Sequence, residues 1–394
     1  MSRSDQKKFY DKIGQKVGKN IREFWKHINS LSKSNSVPQF ICQLQRLYTS
    51  ASITENTNLF AAFFKTTYSS PRFILNFDLL DQEDILNNCA VNFNNNVTES
   101  DIILALNKLG DGVSLGADGL PEVFVAKCGS SLIYPLLILY NQSLSNGLFP
   151  TVWKRTFITP VFKSGDRTDV TNYRPISVIG SLAKIFDSIV ALKLSESLIS
   201  FIISEQHRFV KTKSTLSNLL DYCNFISESL NSCCQVDSIY LDFKKAFDSV
   251  NHDILIRKLH SLGLKGIMLR WLKSYMSKRE QVVRIKGNCS DPFLIESGVP
   301  QGSHLGPLLF ILLINDVKDK LTHSRILIFA DDIKLFNKIS SPLDRTKLQI
   351  DLDKIVKWPD ENELNLNIQK CTVINIHRGD FFDTNYYLGD IELT

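Results

Sequence analysis

Arg325-Ile326-Leu327-Ile328-Phe329-Ala330-Asp331-Asp332-Ile333-Lys334-Leu335-Phe336 sets two adjacent carboxylates between two short apolar runs. Five apolar residues precede the acids, and three of the four that follow are apolar. A run of this length, apolar on both faces and broken by a turn-forming pair, predicts a buried β-hairpin with Asp331 and Asp332 at its tip. Carboxylates raised on a rigid, dry platform suit a divalent cation such as Mg²⁺, which takes one or two protein oxygens and leaves its other positions to water and phosphate. The plainer reading is a polar turn, because Asp is among the commonest turn residues. Partners elsewhere in the chain decide between the two.

The 394 residues are enough for two or three domains, and a hydrophobic content of 43% suits a packed globular protein. The longest apolar run, Leu308 to Ile314, falls well short of the ~20 residues of a membrane helix, so no membrane association is expected. The polar start lacks the apolar core of a secretory signal, which predicts an intracellular protein of the cytoplasm or nucleus. Eight scattered cysteines, with no Cys-x-x-Cys and no paired histidines nearby, predict reduced thiols and no zinc site. The net charge of +5 is concentrated at the amino terminus. Residues 1–33 hold nine basic and three acidic side chains, while the remaining 361 sum to −1. Phe9, Ile13, Val17, Ile21, Phe24, Trp25 and Ile28 recur there at helical spacing. One face of such a helix packs, and the other is a candidate phosphate contact.

Along the chain, residues 1–95 read as helices joined by polar linkers. Thr98-Glu99-Ser100-Asp101 resembles a capping box opening an amphipathic helix, and the span 131–146, apolar on most sides, predicts a buried helix stopped by Gly147. Short strands follow: 156–162, then a turn, then Asn172-Tyr173-Arg174-Pro175-Ile176-Ser177, so that Lys163 and Arg174 flank one turn and are placed to share a triphosphate. Residues 238–241 form a strand that delivers Asp242, after which the chain turns into a helix carrying Leu255 and Leu259. Strands at 281–286 and 293–297 lead to Gly298-Val299-Pro300-Gln301-Gly302-Ser303, whose glycines let backbone approach a ligand or simply form a strand-to-helix turn. Beyond the hairpin one more helix meets Pro359, which must stop or kink it, and two extended pieces flank Lys370.

An acid ending a strand (Asp242), a Pro-Gln-Gly loop (Pro300 to Gly302) and an acid pair on a hairpin (Asp331, Asp332) stand in fixed order behind Asn172 to Ser177. Together these blocks resemble the reverse transcriptase of non-LTR (LINE-type) retrotransposons, most similar to the jockey-like insect elements. The similarity runs from about Phe24 to the end, and includes 302–310, Trp358 and Lys370-Cys371. It departs at Arg208, where glycine is usual, near Thr212-Lys213, where a glycine-arginine pair is usual, and at Pro359, where cysteine is usual.

The resemblance implies an α+β fold, a right-hand polymerase with an antiparallel palm sheet backed by helices. It implies fingers over 96–225 and palm over 226–394, behind a helical, basic extension over 1–95. It further implies a chain that stops before the thumb and carries no endonuclease ahead of residue 1. The activity implied is RNA-directed DNA synthesis, nucleotidyl transfer from a dNTP to a primer 3′-hydroxyl. Two Mg²⁺ ions, replaceable by Mn²⁺, are held by Asp242, Asp331 and Asp332 with the Phe243 carbonyl. Lys163 and Arg174 clamp the triphosphate, and Gln301 and Gly302 contact nucleotide and template. Phe247 lies beneath the incoming sugar, where a ring excludes a 2′-hydroxyl, although by itself it reads as a core phenylalanine. Lys370 protonates the leaving pyrophosphate. The partners implied are an RNA template, a DNA primer, dNTPs and the element RNA in a ribonucleoprotein. The competing readings are a catalytically silent relic that binds RNA or DNA, and a two-metal nuclease. The intact acids favour the polymerase over the first, and the Pro-Gln-Gly loop favours it over the second.

Overall fold

The computed structural model describes residues 52–69, 96–110, 112, 115–378, 382–383 and 385–393. The basic segment 1–33 lies outside them. A serine-capped helix α1 (Ile53–Lys65) comes first, with Ser52 and Glu55 in a reciprocal capping box. Next are α2 (Glu99–Asn107), capped as its sequence predicts by Thr98 and Asp101, α3 (Glu122–Lys127) and α4 (Gly129–Asn146). The first strands, β1 (Arg155–Phe162) and β2 (Tyr173–Val178), lead to α5 (Ser181–Leu198) and α6 (Thr215–Asn231). There follow β3 (Gln235–Leu241), α7 (His252–Ser261), α8 (Gly266–Met276) and the strands β4 (Arg279–Ile285), β5 (Asn288–Cys289) and β6 (Phe293–Ile295). The last part comprises α9 (Leu305–Ile314), β7 (Arg325–Phe329), β8 (Asp332–Ile339), α10 (Pro342–Glu361), β9 (Thr372–Ile376) and the small hairpin β10 (Tyr387–Leu388) and β11 (Ile391–Glu392).

These elements make an α+β fold with two main sheets. One is antiparallel throughout, in the order β7-β8-β3-β9. Its inner face, with Ile239, Leu241, Ile326, Ile328, Ile333 and Leu335, joins a core supplied by α9 and α10. The apolar helix α9 is buried along nearly its whole length, which explains why no polar face interrupts its sequence. Across the outer face lies α6, whose Tyr222 and Phe225 meet Phe336 edge to ring. The other sheet is mixed, β2-β1-β4-β5 with β6 on β4, and only the β1–β4 pair is parallel. Strands from before and after β3 therefore build it together. α1 covers this second sheet, burying Phe60 and Phe64 against Ile158, Tyr173 and Val283.

Two expectations change. α4 is apolar but not buried on most sides: Leu136, Tyr140 and Leu144 face the core, whereas Tyr134 is 68% exposed and Ile138 and Leu139 are also open to solvent. Its composition gives no polar stripe to mark the outer face, so sequence overstates the number of its neighbours. Pro359 stops its helix without an immediate break, since α10 continues to Glu361 before Asn362 caps it by donating to the Trp358 and Pro359 carbonyls. Among the described residues six cysteines are free, and no helix is long and apolar enough to cross a membrane.

Candidate active site

The hairpin forms as its two apolar runs predict, but its turn falls one residue earlier than the acid pair, so that Asp331 lies in the turn and Asp332 opens β8. Phe329 pairs with Asp332, which leaves Ala330 and Asp331 as a two-residue turn. β8 then runs antiparallel to β3 through seven pairs ending at Leu241 and Ile333. One step further, the register sets Asp242 opposite Asp332 and beside Asp331. Adjacent strands lie about 5 Å apart, so three carboxylates from two distant stretches are brought to one edge of the sheet.

Asp242 is held from the far side by the segment that leads into β9. Its Oδ2 lies 3.2 Å from the Lys370 ammonium and accepts a 3.2 Å hydrogen bond from the Asn367 side chain. Its carbonyl accepts from Asn367 N–H at 2.7 Å, and Lys244 N–H donates to the Asn365 carbonyl at 2.7 Å, so Phe243 is fixed between two backbone bonds. The Phe243 ring packs near Trp358. A cavity of about 460 Å³ opens beside this edge, lined by Asp242, Asp332, Lys370, Lys334, Tyr240 and Asn218.

The electrostatics report the same convergence. Burial pushes the Asp331 carboxyl up, the charges of Asp332 and Asp242 add to the rise, and Arg174 opposes it. Asp332 is raised by partial desolvation and by Asp242, against the pull of Lys370. Lys163 is pushed down by burial and by the positive charges of Lys370 and Arg174, while Asp242 and Asp331 draw it back up. β1 and β2 therefore deliver Lys163 and Arg174 to the field of the acids. Lys163 N–H donates to the Asn172 carbonyl at 2.8 Å, and Arg174 pairs with Val161. Among the described residues no group of three or more His, Cys, Asp or Glu side chains is placed so as to hold a metal ion, and Lys370 and Asn367 occupy one Asp242 oxygen.

Phe247, Gln301 and Gly302 form a second, adjoining group. The Phe247 ring stacks on Phe310 at 4.3 Å and 23°, and its carbonyl accepts from Val299 N–H at 2.8 Å. Gln301 Nε2 donates to Asp248 Oδ1 at 2.6 Å, and the Gln301 carbonyl accepts from Ser177 N–H at 3.0 Å, which ties the loop to β2. Gly302 has φ of 110°, and a Cβ there would stand 2.8 Å from the Ser177 carbonyl oxygen. Only glycine fits that approach. Asp187, fully buried on α5, accepts from His304 N–H and Tyr275 Oη, so the start of α9 just beyond the loop is also fixed.

Asn367, Asp248 and Asp187 escape sequence reading. The role of each depends on a partner 53 to 125 positions away. A polar side chain inside an apolar stripe, such as Asp187 within α5, is the one local sign available.

Residues 162–384 match the family described as reverse transcriptase (RNA-dependent DNA polymerase). The RNA-directed DNA polymerase from mobile element jockey of Drosophila funebris is 30% identical over 286 residues, covering 70% of this chain and 31% of that protein. The probable RNA-directed DNA polymerase from transposon BS of Drosophila melanogaster is 28% identical over 281 residues, 68% of this chain and 31% of its own length. The retrovirus-related Pol polyprotein from type-1 retrotransposable element R2 of Popillia japonica is 27% identical over 205 residues, 49% and 29% of the two chains. The chain thus spans about a third of the length of these relatives. With more than half of its residues inside the matched region, the chain belongs to the reverse transcriptase (RNA-dependent DNA polymerase) family.

Proposed function

We propose that this chain is the polymerase core of a non-LTR retrotransposon, an RNA-directed DNA polymerase that joins a dNTP to a primer 3′-hydroxyl with release of pyrophosphate. The observation that carries the reading is the β3–β8 register, which sets Asp242 against the Asp331-Asp332 pair in a field shared with Lys163, Arg174 and Lys370. The antiparallel sheet and its helices are the palm, within 226–394; residues 96–225 supply the fingers, whose sheet is completed by β4 to β6. Of residues 1–95, the described helix α1 packs on that sheet.

The donor set fits divalent cations, because the Asp331 and Asp332 carboxyls, both raised by burial and by the charge of Asp242, are relieved by positive charge. Asp242 and Asp331 would hold two Mg²⁺ ions between them, with the Phe243 carbonyl and Asp332 in support and Mn²⁺ as a substitute. Bound there, the ions supply a lower pKa for the primer hydroxyl and charge neutralisation for the departing pyrophosphate. The chain's own groups do the rest. Lys163 meets the triphosphate as a point charge and Arg174 as a two-pronged donor. Phe247, backed by Phe310, closes the space a 2′-hydroxyl needs. Gln301, pinned to Asp248, and Gly302, against β2, set the floor under nucleotide and template. Lys370 leaves Asp242 to give its proton to pyrophosphate.

The single-stranded RNA template has a suitable approach. A groove of about 530 Å³ is lined by Lys108, Lys184, Phe209, His304 and Pro307, and the Arg208 guanidinium lies over the Phe209 and Phe329 rings. An exposed ring for base stacking beside cations for phosphates is the chemistry of single-strand binding. The element's own RNA, carried in a ribonucleoprotein, is the natural template. Extension of a DNA primer on homopolymeric RNA with Mg²⁺ or Mn²⁺ tests the reading. The wild-type chain should extend the primer, and Asp242→Asn or Asp331→Asn should fold and give background incorporation. Near wild-type incorporation by either variant, or binding without extension by the wild type, would overturn it.

A further inference from the structure

Asp331 follows a residue in a conformation that L-amino acids avoid. Ala330 has φ of 60°, in the left-handed region, and is buried. A non-glycine residue stays there only when its surroundings over-determine it. The surroundings here are residues 205–208, which run along the free edge of β7. Gln206 bridges Ile328 in parallel, Ile328 N–H donates to the Glu205 carbonyl at 2.9 Å, and His207 N–H donates to the Ile328 carbonyl at 2.9 Å. His207 Nδ1 lies 2.8 Å from Ser217 Oγ, which secures this edge to the start of α6.

From that position the Gln206 side chain reaches past the end of β7. Its Oε1 accepts from Ala330 N–H at 3.0 Å and from Arg208 N–H at 2.9 Å. The residue is only 1% exposed, and among the described residues its Nε2 has no acceptor. Burying an amide with an idle donor is costly, and an apolar side chain of the same size would serve if packing were the only need. What the amide contributes is its acceptor, spent on the peptide that enters Asp331.

We infer that Gln206 is a positioning residue: its carbonyl oxygen holds Ala330 in the left-handed turn and thereby sets the Asp331 carboxylate at its station beside Asp242. This inference rests on the proposed role of Asp331 in holding a divalent cation. Gln206→Met keeps the volume and removes the acceptor, and Asp331→Asn is the reference. Two readouts are needed: Mn²⁺ binding to the chain alone, followed by the paramagnetic signal of free Mn²⁺, and steady-state primer extension. Gln206→Met should retain a cooperative thermal transition, raise the Mn²⁺ half-saturation about tenfold and lower kcat by about 10–100-fold, with the KM for dNTP within about twofold. Adding Ala330→Gly, which takes the left-handed turn without strain, should recover about fivefold in kcat.

Mn²⁺ binding that is altered in Asp331→Asn and unaltered in Gln206→Met would overturn the inference and leave the polymerase reading standing. Activity lost only in proportion to unfolded protein would overturn it as well, returning Gln206 to a packing role. If the wild type extends no primer while both variants weaken Mn²⁺ binding, the polymerase reading fails and the positioning role holds.

Discussion

Replacing Asp248 with asparagine should stabilise the protein at neutral pH, and by an amount that grows from acid to neutral solution. The carboxyl is 5% exposed, beneath the Pro-Gln-Gly loop. Burial pushes it up to about 6 from an ordinary value of 3.8, against the opposing effects of the Gln301 hydrogen bond and the Lys245 charge. That displacement converts to roughly 3 kcal/mol at about 1.4 kcal/mol per tenfold change in proton affinity. The sign follows from the raised value. The folded state holds the proton more tightly than the unfolded state, so this contribution is fully present below about pH 4 and is lost as pH rises through about 6. Above that the folded state carries a buried carboxylate. Asparagine has no proton to lose, and its Oδ1 keeps an acceptor for Gln301 Nε2. Denaturant midpoints of wild type and variant should nearly coincide at about pH 4 and separate by up to roughly 3 kcal/mol at about pH 7.5, with the variant the more stable. A pH-independent difference, or a variant less stable at neutral pH, would refute the reasoning and make the Lys245–Asp248 attraction the larger effect.

The second site group yields two further expectations. Phe247→Ala should raise ribonucleotide incorporation relative to deoxyribonucleotide by about tenfold or more, measured as the ratio of kcat/KM values; an unchanged ratio leaves Phe247 as a packing partner of Phe310 and nothing else. Gly302→Ala forces a side chain into a φ of 110° and to 2.8 Å from the Ser177 oxygen. It should cost roughly 1–3 kcal/mol of stability and raise the KM for dNTP as the loop lifts from β2; a variant with wild-type Tm and KM would show that the loop accommodates a Cβ.

Much of this site is legible in the chain because its parts are local. The hairpin around Asp331 follows from two short apolar runs and a turn-forming pair within twelve residues, and the strand before Asp242 from one short stretch. Their meeting is not legible, since register is fixed by pairing across some ninety residues and a one-residue slip would turn every side chain to the other face. Gln206 shows the same limit more sharply. By residue type it belongs in water, and only the edge pairing of 205–208 with β7 turns it inward. α4 fails in the opposite sense: a helix without charges reads as buried, yet exposure depends on which neighbours arrive, and on one side none of the described residues does.

The pairing of Lys370 with Asp242 gains its meaning from the charge of the whole site. Asp242, Asp331 and Asp332 carry three negative charges, and Lys163, Arg174 and Lys370 three positive ones, so the site as it stands balances itself. That balance moderates the repulsion that would otherwise drive the acids apart in a partly desolvated edge. On the proposed reading the incoming charges also cancel, because a triphosphate of about −4 arrives with two divalent cations. Loading then exchanges partners and leaves net charge nearly unchanged. The acids turn from the lysines to the cations, and the cationic side chains turn from the acids to the phosphates. Lys370 is the group best placed for that exchange, being more than half exposed and tied to Asp242 by a 3.2 Å ion pair at the mouth of the cavity. An ion pair this open is worth little in water, so breaking it to reach pyrophosphate costs little. On the proposed reading the proton donor stands beside the acids without being buried there.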